Sequence, residues 1–180
     1  MLFPLAVVSE HEASPSREAN TSFTKLVFHS VDLTPDQKDA LASTITNAHC
    51  GATGALKFFV NVEFHHNTNP WQYIGGHRRP NNKIIGLTRP RGTAGEDIMN
   101  EVVSEVNEGW TKIVGSEGEK ELSAFWINDG MLTGMEFGHL LPKAFEDNAW
   151  LESHKAEFEK RAREGDELFS EVLKSNDVPR

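Results

Sequence analysis

The chain has 180 residues and a mass of 20.1 kDa, room for one compact domain or two small lobes sharing a core, which sets aside a multidomain machine. Hydrophobic residues at 38%, charged residues at 25% and a mean hydropathy of -0.46 exclude a disordered, collagenous or membrane chain, and no apolar run approaches a bilayer-spanning length. With 27 acidic against 18 basic side chains, a formal charge of -9, the chain lacks the cation excess a general nucleic-acid binder needs to displace phosphate counterions, so any basic site must be local. The one thiol, Cys50, permits neither an internal disulfide nor a cysteine-based zinc site, which points to a reducing, cytoplasmic setting.

Met1–Val8 is apolar, but no basic residue precedes it and Glu10, His11 and Glu12 end the run, so it is not read as a secretory signal. Residues 9–22 are polar and aperiodic, an extension ahead of a domain expected to start at Phe23. Phe23 to Ser30 alternates, with Thr24, Leu26 and Phe28 on one face, and reads as a strand. Thr34-Pro35-Asp36-Gln37 combines a capping hydroxyl, a proline at the first helical position and a glutamine three residues after the cap, so a helix opens there. Its stripe is Leu41, Ile45 and Ala48, and Gly51 and Gly54 end it. Leu56 to His65 resumes period two, with Phe58, Val60, Val62 and Phe64 to one side.

The stretch from His66 to Asn82 is a long polar connection, a kind more often functional than idle. Lys83 to Thr88 reads as a short strand. Thr93-Ala94-Gly95-Glu96 reads as a second capping box, opening a helix with the apolar face Ile98, Met99, Val102, Val103, Val106, Trp110 and Ile113 that stops at Gly115. Glu121 to Ile127 is a fourth strand, followed by a turn and the segment Met135–Leu141, which Pro142 ends. From about Asp147, the spacing of Leu151, His154, Phe158, Ala162, Leu168 and Val172 predicts one long helix weakened at Gly165. The boundaries are therefore an extension at 1–22, a double strand-helix-strand domain at 23–145 and a helical tail at 146–180. Two α/β (α+β) folds fit. The ferredoxin-like one interleaves the two units, and the tautomerase arrangement sets two right-handed parallel crossovers side by side.

The segments Leu33-Thr-Pro-Asp-Gln-Lys-Asp-Ala, Ala48-His-Cys-Gly-Ala-Thr-Gly54, Phe59-Val-Asn-Val-Glu-Phe64, Gly86-Leu-Thr-Arg89 and Glu136-Phe-Gly-His-Leu-Leu-Pro142 resemble, in order and spacing, cis-3-chloroacrylic acid dehalogenase and its relatives in the tautomerase superfamily. The resemblance runs from about Phe23 to Phe158. It implies a four-stranded sheet backed by two helices and a homotrimer whose small sites are bordered by a neighbouring subunit. It implies a small anionic substrate and chemistry by an N-terminal proline amine together with an arginine that grips a carboxylate.

On the matching positions, Arg89 is the carboxylate-binding arginine, and its alternative is an ordinary ion pair. The second family arginine falls on Gly92, with Arg91 one place away as a substitute. Glu136 falls on the glutamate that activates water. Its alternative is a carboxylate facing solvent in a first turn. His49 falls on the active-site histidine, or else caps carbonyls at its helix end. Phe125 stands where the family has a tyrosine that assists at the substrate, so a hydroxyl is lost. Ser22 stands where the catalytic proline begins the chain in relatives, with 21 residues ahead of it, so proline-based acid-base chemistry is not supported. The site is expected to use Glu136, His49 and Arg89 for catalysis and Arg89, Arg91 and Phe125 for substrate contact, with no metal, no cofactor, no nucleic acid and no membrane. Isomerisation or hydration of a small carboxylate or enolisable carbonyl compound suits that set. A noncatalytic trimer that binds a ligand is the other reading.

Overall fold

The structure, a computed structural model, describes residues 24–175; the extension at 1–22, the start at Phe23 and the register of Ser22 lie outside the described residues. Strand β1 (Thr24–His29) leads into helix α1 (Pro35–Thr53), and β2 (Asn61–His66) returns to pair with β1 in parallel. After a short hairpin, β3 (Tyr73–Ile74) with β4 (His77–Arg78), the second unit runs β5 (Asn82–Leu87), α2 (Gly95–Ile113) and β6 (Leu122–Asn128), again parallel. β1 and β5 join the halves antiparallel, giving the order β2-β1-β5-β6. Two parallel crossovers lie side by side, as in the tautomerase arrangement, and the interleaved alternative is excluded.

Both helices cover one face of the sheet. Val27 and Ile84 from the strands meet Leu41 and Ile45 of α1 and Val102, Val106 and Trp110 of α2 in the first core. α1 opens as its sequence dictates: Gln37 N–H donates to Thr34 Oγ1 at 3.2 Å, and Thr34 N–H donates to Gln37 Oε1 at 3.0 Å. It ends at Gly54, whose φ of 69° suits a residue without Cβ.

Three expectations are corrected. The segment Leu56–Val60 is not strand: Lys57–Phe59 forms a 3-10 turn that carries Phe59 into a second core with Trp150 and Phe158, and the ladder begins only at Asn61. The Thr93 capping box does not form, because Thr93 lies inside a 3-10 turn, Gly92–Ala94, and α2 starts without a side-chain cap. The single C-terminal helix is two, α3 (Asp147–Arg163) and α4 (Glu167–Ser175). Gly165 at φ 95° reverses the chain, and Phe169 packs on Phe158 with ring centroids 4.6 Å apart. Between β6 and α3, β7 (Met135–Glu136) and β8 (His139–Leu140) make a two-residue hairpin. Among the described residues, no helix is long and apolar enough to cross a membrane.

Candidate active site

The topology places chemistry at one end of the sheet. The parallel pair β1 and β2 starts there, the parallel pair β5 and β6, which runs the opposite way, ends there, and α1, running back against β1, brings its C-terminal turn to the same end. Lys25, His49, Asn61 and the pair Arg89 and Arg91 thus reach this end from four separate stretches of chain.

Arg89 follows β5, whose ladder Thr88 prolongs by donating its N–H to Asn128 O at 2.8 Å. The residue is 5% exposed, and its guanidinium is engaged by the chain itself. Nη2 donates to both carboxylate oxygens of Asp147, at 2.8 and 3.0 Å, and Nη1 donates to the carbonyls of Pro142 and Lys143, at 2.6 and 3.0 Å. Within this chain the carboxylate it grips is that of Asp147 on α3, which takes both bonds from Nη2. Arg89 is in an ion pair, but a buried one that pins α3 to the end of β5.

Arg91 is also buried, and its Nη1 donates to Arg89 O at 3.0 Å. Burial, then the charge of Arg89, lowers its pKa to about 10. Arg91 lines two cavities. The first, about 470 Å³, has Arg89, Met131, Gly134, Leu141 and Phe145 among its walls. The second, about 410 Å³, lies toward the start of α2, between Thr88, Gly95, Glu96, Met99 and Ile127.

Glu136 is 3% exposed, so it does not face solvent. It sits on the hairpin between Gly134 and Leu141, both walls of the first cavity, and Asn61 Nδ2 donates to its Oε1 at 2.8 Å. The turn beyond it, Phe137 at φ 49° and Gly138 at φ 94°, needs two left-handed residues, and Phe137 holds that conformation with its ring on Phe58 at 5.1 Å. His49 is wholly buried, and desolvation, then the charges of Lys25, Arg91 and Arg89, lowers its pKa to about 2. It is a neutral imidazole at any ordinary pH, able to orient a partner but not to carry a charge.

Phe125 lies elsewhere. In register with Ile84 and two residues before Ile127, it faces the helices and packs on the first core, and it is not among the residues lining either cavity. The residue that sequence reasoning missed is Lys25, wholly buried on β1, whose pKa burial and the nearby Arg91 lower to about 7. Alternation along β1 made Leu26 and Phe28 conspicuous, and only the helices packed on the opposite face show that Lys25, beside Val27, is buried.

Comparison with known proteins agrees with this fold. An alanine-substituted RhCC from Rhodococcus jostii RHA1 superposes with a TM-score of 0.56 at 17% identity, covering 72% of this chain and 88% of its own. N1, a member of the cis-3-chloroacrylic acid dehalogenase family, gives 0.55 at 17%, covering 72% and 91%. A native fused 4-OT gives 0.53 at 16%, covering 64% and 92%. At such identities these likenesses speak for the fold alone. No protein of curated function matches. The family model described as "Putative oxalocrotonate tautomerase enzyme" matches residues 24–120, more than half of the chain, and the chain belongs to that family of the tautomerase superfamily.

Proposed function

We propose that this protein catalyses proton transfer on, or hydration of, a small anionic carbonyl or unsaturated acid. Arg91 holds the carboxylate, Glu136 moves the proton or activates water, and neutral His49 orients substrate or water. Arg89, held by Asp147, positions Arg91 through its carbonyl and walls the first cavity. The observation that carries this reading is Arg91, a buried guanidinium bordering two cavities at the sheet end where the buried carboxylate of Glu136 also stands. In an acidic protein, such a local cation favours a small anion over a polyanion.

The functional unit in this reading is a homotrimer. A related fused 4-OT is described as a symmetric trimer. Here the sheet face away from the helices carries half-buried Leu26, Phe28, Ile85 and Leu87 and an exposed Trp126, a surface suited to another copy.

The test is turnover and proton exchange on 2-oxo acids, phenylpyruvate and halogenated or acetylenic acids. The last class includes 2-oxo-3-pentynoate, which inactivates the structural relative Pt0534. Glu136→Gln, which keeps the shape and the bond from Asn61, is expected to lower activity by about 10²-fold or more. Unchanged rates would remove Glu136 from the chemistry. The capture of Arg89 by Asp147 favours the other reading, a trimer that binds without turnover, and saturable acid binding with no reaction in either protein would establish it.

A further inference from the structure

Lys25 has no part in the scheme above, yet its surroundings are those of a nucleophile. Its register partner across the β1–β5 pair is Gly86. A Cβ at Gly86 would stand 3.0, 3.1 and 3.1 Å from Lys25 Cδ, Cε and Nζ, so the far half of the side chain lies over the glycine and fills the space a larger residue would take. Gly86 is in register with Ile127 on β6 and two residues before Thr88. Ile127 and Thr88, with Arg91, line the second cavity, so the register neighbour of Gly86 and the residue two places after it both form its wall, Lys25 itself not being among the lining residues.

A lysine buried for stability has a carboxylate or carbonyl partner, since an unsatisfied buried donor costs about 1–3 kcal/mol. Lys25 Nζ makes no hydrogen bond among the described residues. The charge that acts on it most is the like charge of Arg91. His49, on which its charge also acts, is neutral. Desolvation beside a second cation keeps an amine unprotonated and nucleophilic near neutrality.

We propose that Lys25 Nζ condenses with the carbonyl carbon of a small 2-oxo acid whose carboxylate pairs with Arg91 in the second cavity. The nitrogen lone pair forms the new C–N bond. Nζ gives up two hydrogens, the carbonyl oxygen leaves with them as water, and a C=N bond links substrate and chain without oxidant or reductant. This rests on the preceding reading for the anionic carbonyl class and for Arg91 as the partner of its carboxylate, and Glu136 takes no part in it.

The experiment is borohydride trapping on the full chain. Protein is incubated with pyruvate at about pH 8, where the amine is unprotonated, then reduced and mapped by peptide mass spectrometry. Expected is one saturable mass gain of a pyruvic acid less one oxygen atom, on the peptide carrying Lys25, lost in Lys25→Arg and about 10-fold weaker in Arg91→Gln at equal pyruvate. Acetone, which has the carbonyl but no carboxylate, is expected to label far less. Glu136→Gln should label as the unaltered chain does, whatever that substitution does to turnover. No adduct, or adducts spread over surface lysines with none at Lys25, would overturn the assignment, and the unaltered protein alone decides it, so a variant that fails to fold leaves no gap.

Discussion

Lys25 and Arg89 are both buried cations at the same sheet end, and the chain treats them in opposite ways. Arg89 receives a bidentate carboxylate and two carbonyls, the set that makes a buried charge tolerable. Among the described residues Lys25 receives none of these, and pays in protonation instead. Unfolded, it holds its proton up to the ordinary value of 10.5; folded, only up to about 7. Between those values the unfolded chain binds the extra proton, so the stability linked to this group is fully present above about 10.5, falls as pH drops toward 7 and is level below that. Lys25→Met removes this dependence. In urea titrations, the variant is expected to gain on the unaltered protein by on the order of 1 kcal/mol for each unit of pH lowered across that window. A difference between the two that does not move with pH would show that the amine is solvated. At this scale, residue types were legible in the sequence but partners were not. Nothing along the chain links Arg89 to Asp147, 58 positions away, and only the fold brings that contact about.

Among the elements, local signals succeeded where the backbone followed them. Thr34 and Thr93 head similar patterns, yet only Thr34 has the extended conformation, ψ 159°, from which a hydroxyl reaches the third residue's N–H. Gly92 at φ 65° turns the chain after Arg91 and draws Thr93 into a 3-10 turn. Gln37 also ties the two helices, donating Nε2–H to Ile113 O at 3.0 Å.

The helices meet where Gly109 of α2 faces Thr44 of α1. A Cβ on Gly109 would lie 2.4 Å from Thr44 Cγ2, and Thr44 is held by its hydroxyl bond to Ala40 O at 2.9 Å. Gly109→Ala gains about 1 kcal/mol of helix propensity but overpacks the contact, at a cost of about 1–3 kcal/mol. The expected sum is a loss of about 1 kcal/mol, read as a lower urea midpoint with an unchanged slope. A higher midpoint would mean that α1 and α2 have room to spare.

Across the whole molecule, two cores have separate duties. The first joins sheet to helices α1 and α2. The second, around Phe59, Trp150, Phe158 and Phe169, fastens α3 and α4 beneath the 3-10 turn, and Trp150 Nε1 donates to Leu140 O at 2.8 Å, which steadies the Glu136 hairpin. Phe158→Ala is expected to cost about 3–5 kcal/mol. In hydrogen exchange, protection should fall first across residues 147–175 and the hairpin, while α1, α2 and the sheet keep theirs. Loss spread evenly over the chain would show one cooperative core instead of two.

Two strand-helix-strand units, the Thr34 cap and the weak point at Gly165 were determined by the sequence, because each rests on neighbours within a few residues; that the weak point is a full break into two helices was not. Register and antiparallel joining of the halves, the opposition of Lys25 and Gly86, the pairing of Arg89 with Asp147 and the inward turn of Phe125 were decided only by tertiary structure. Those depend on which strand lies beside which, and a single residue's shift in pairing exchanges the faces of a whole strand.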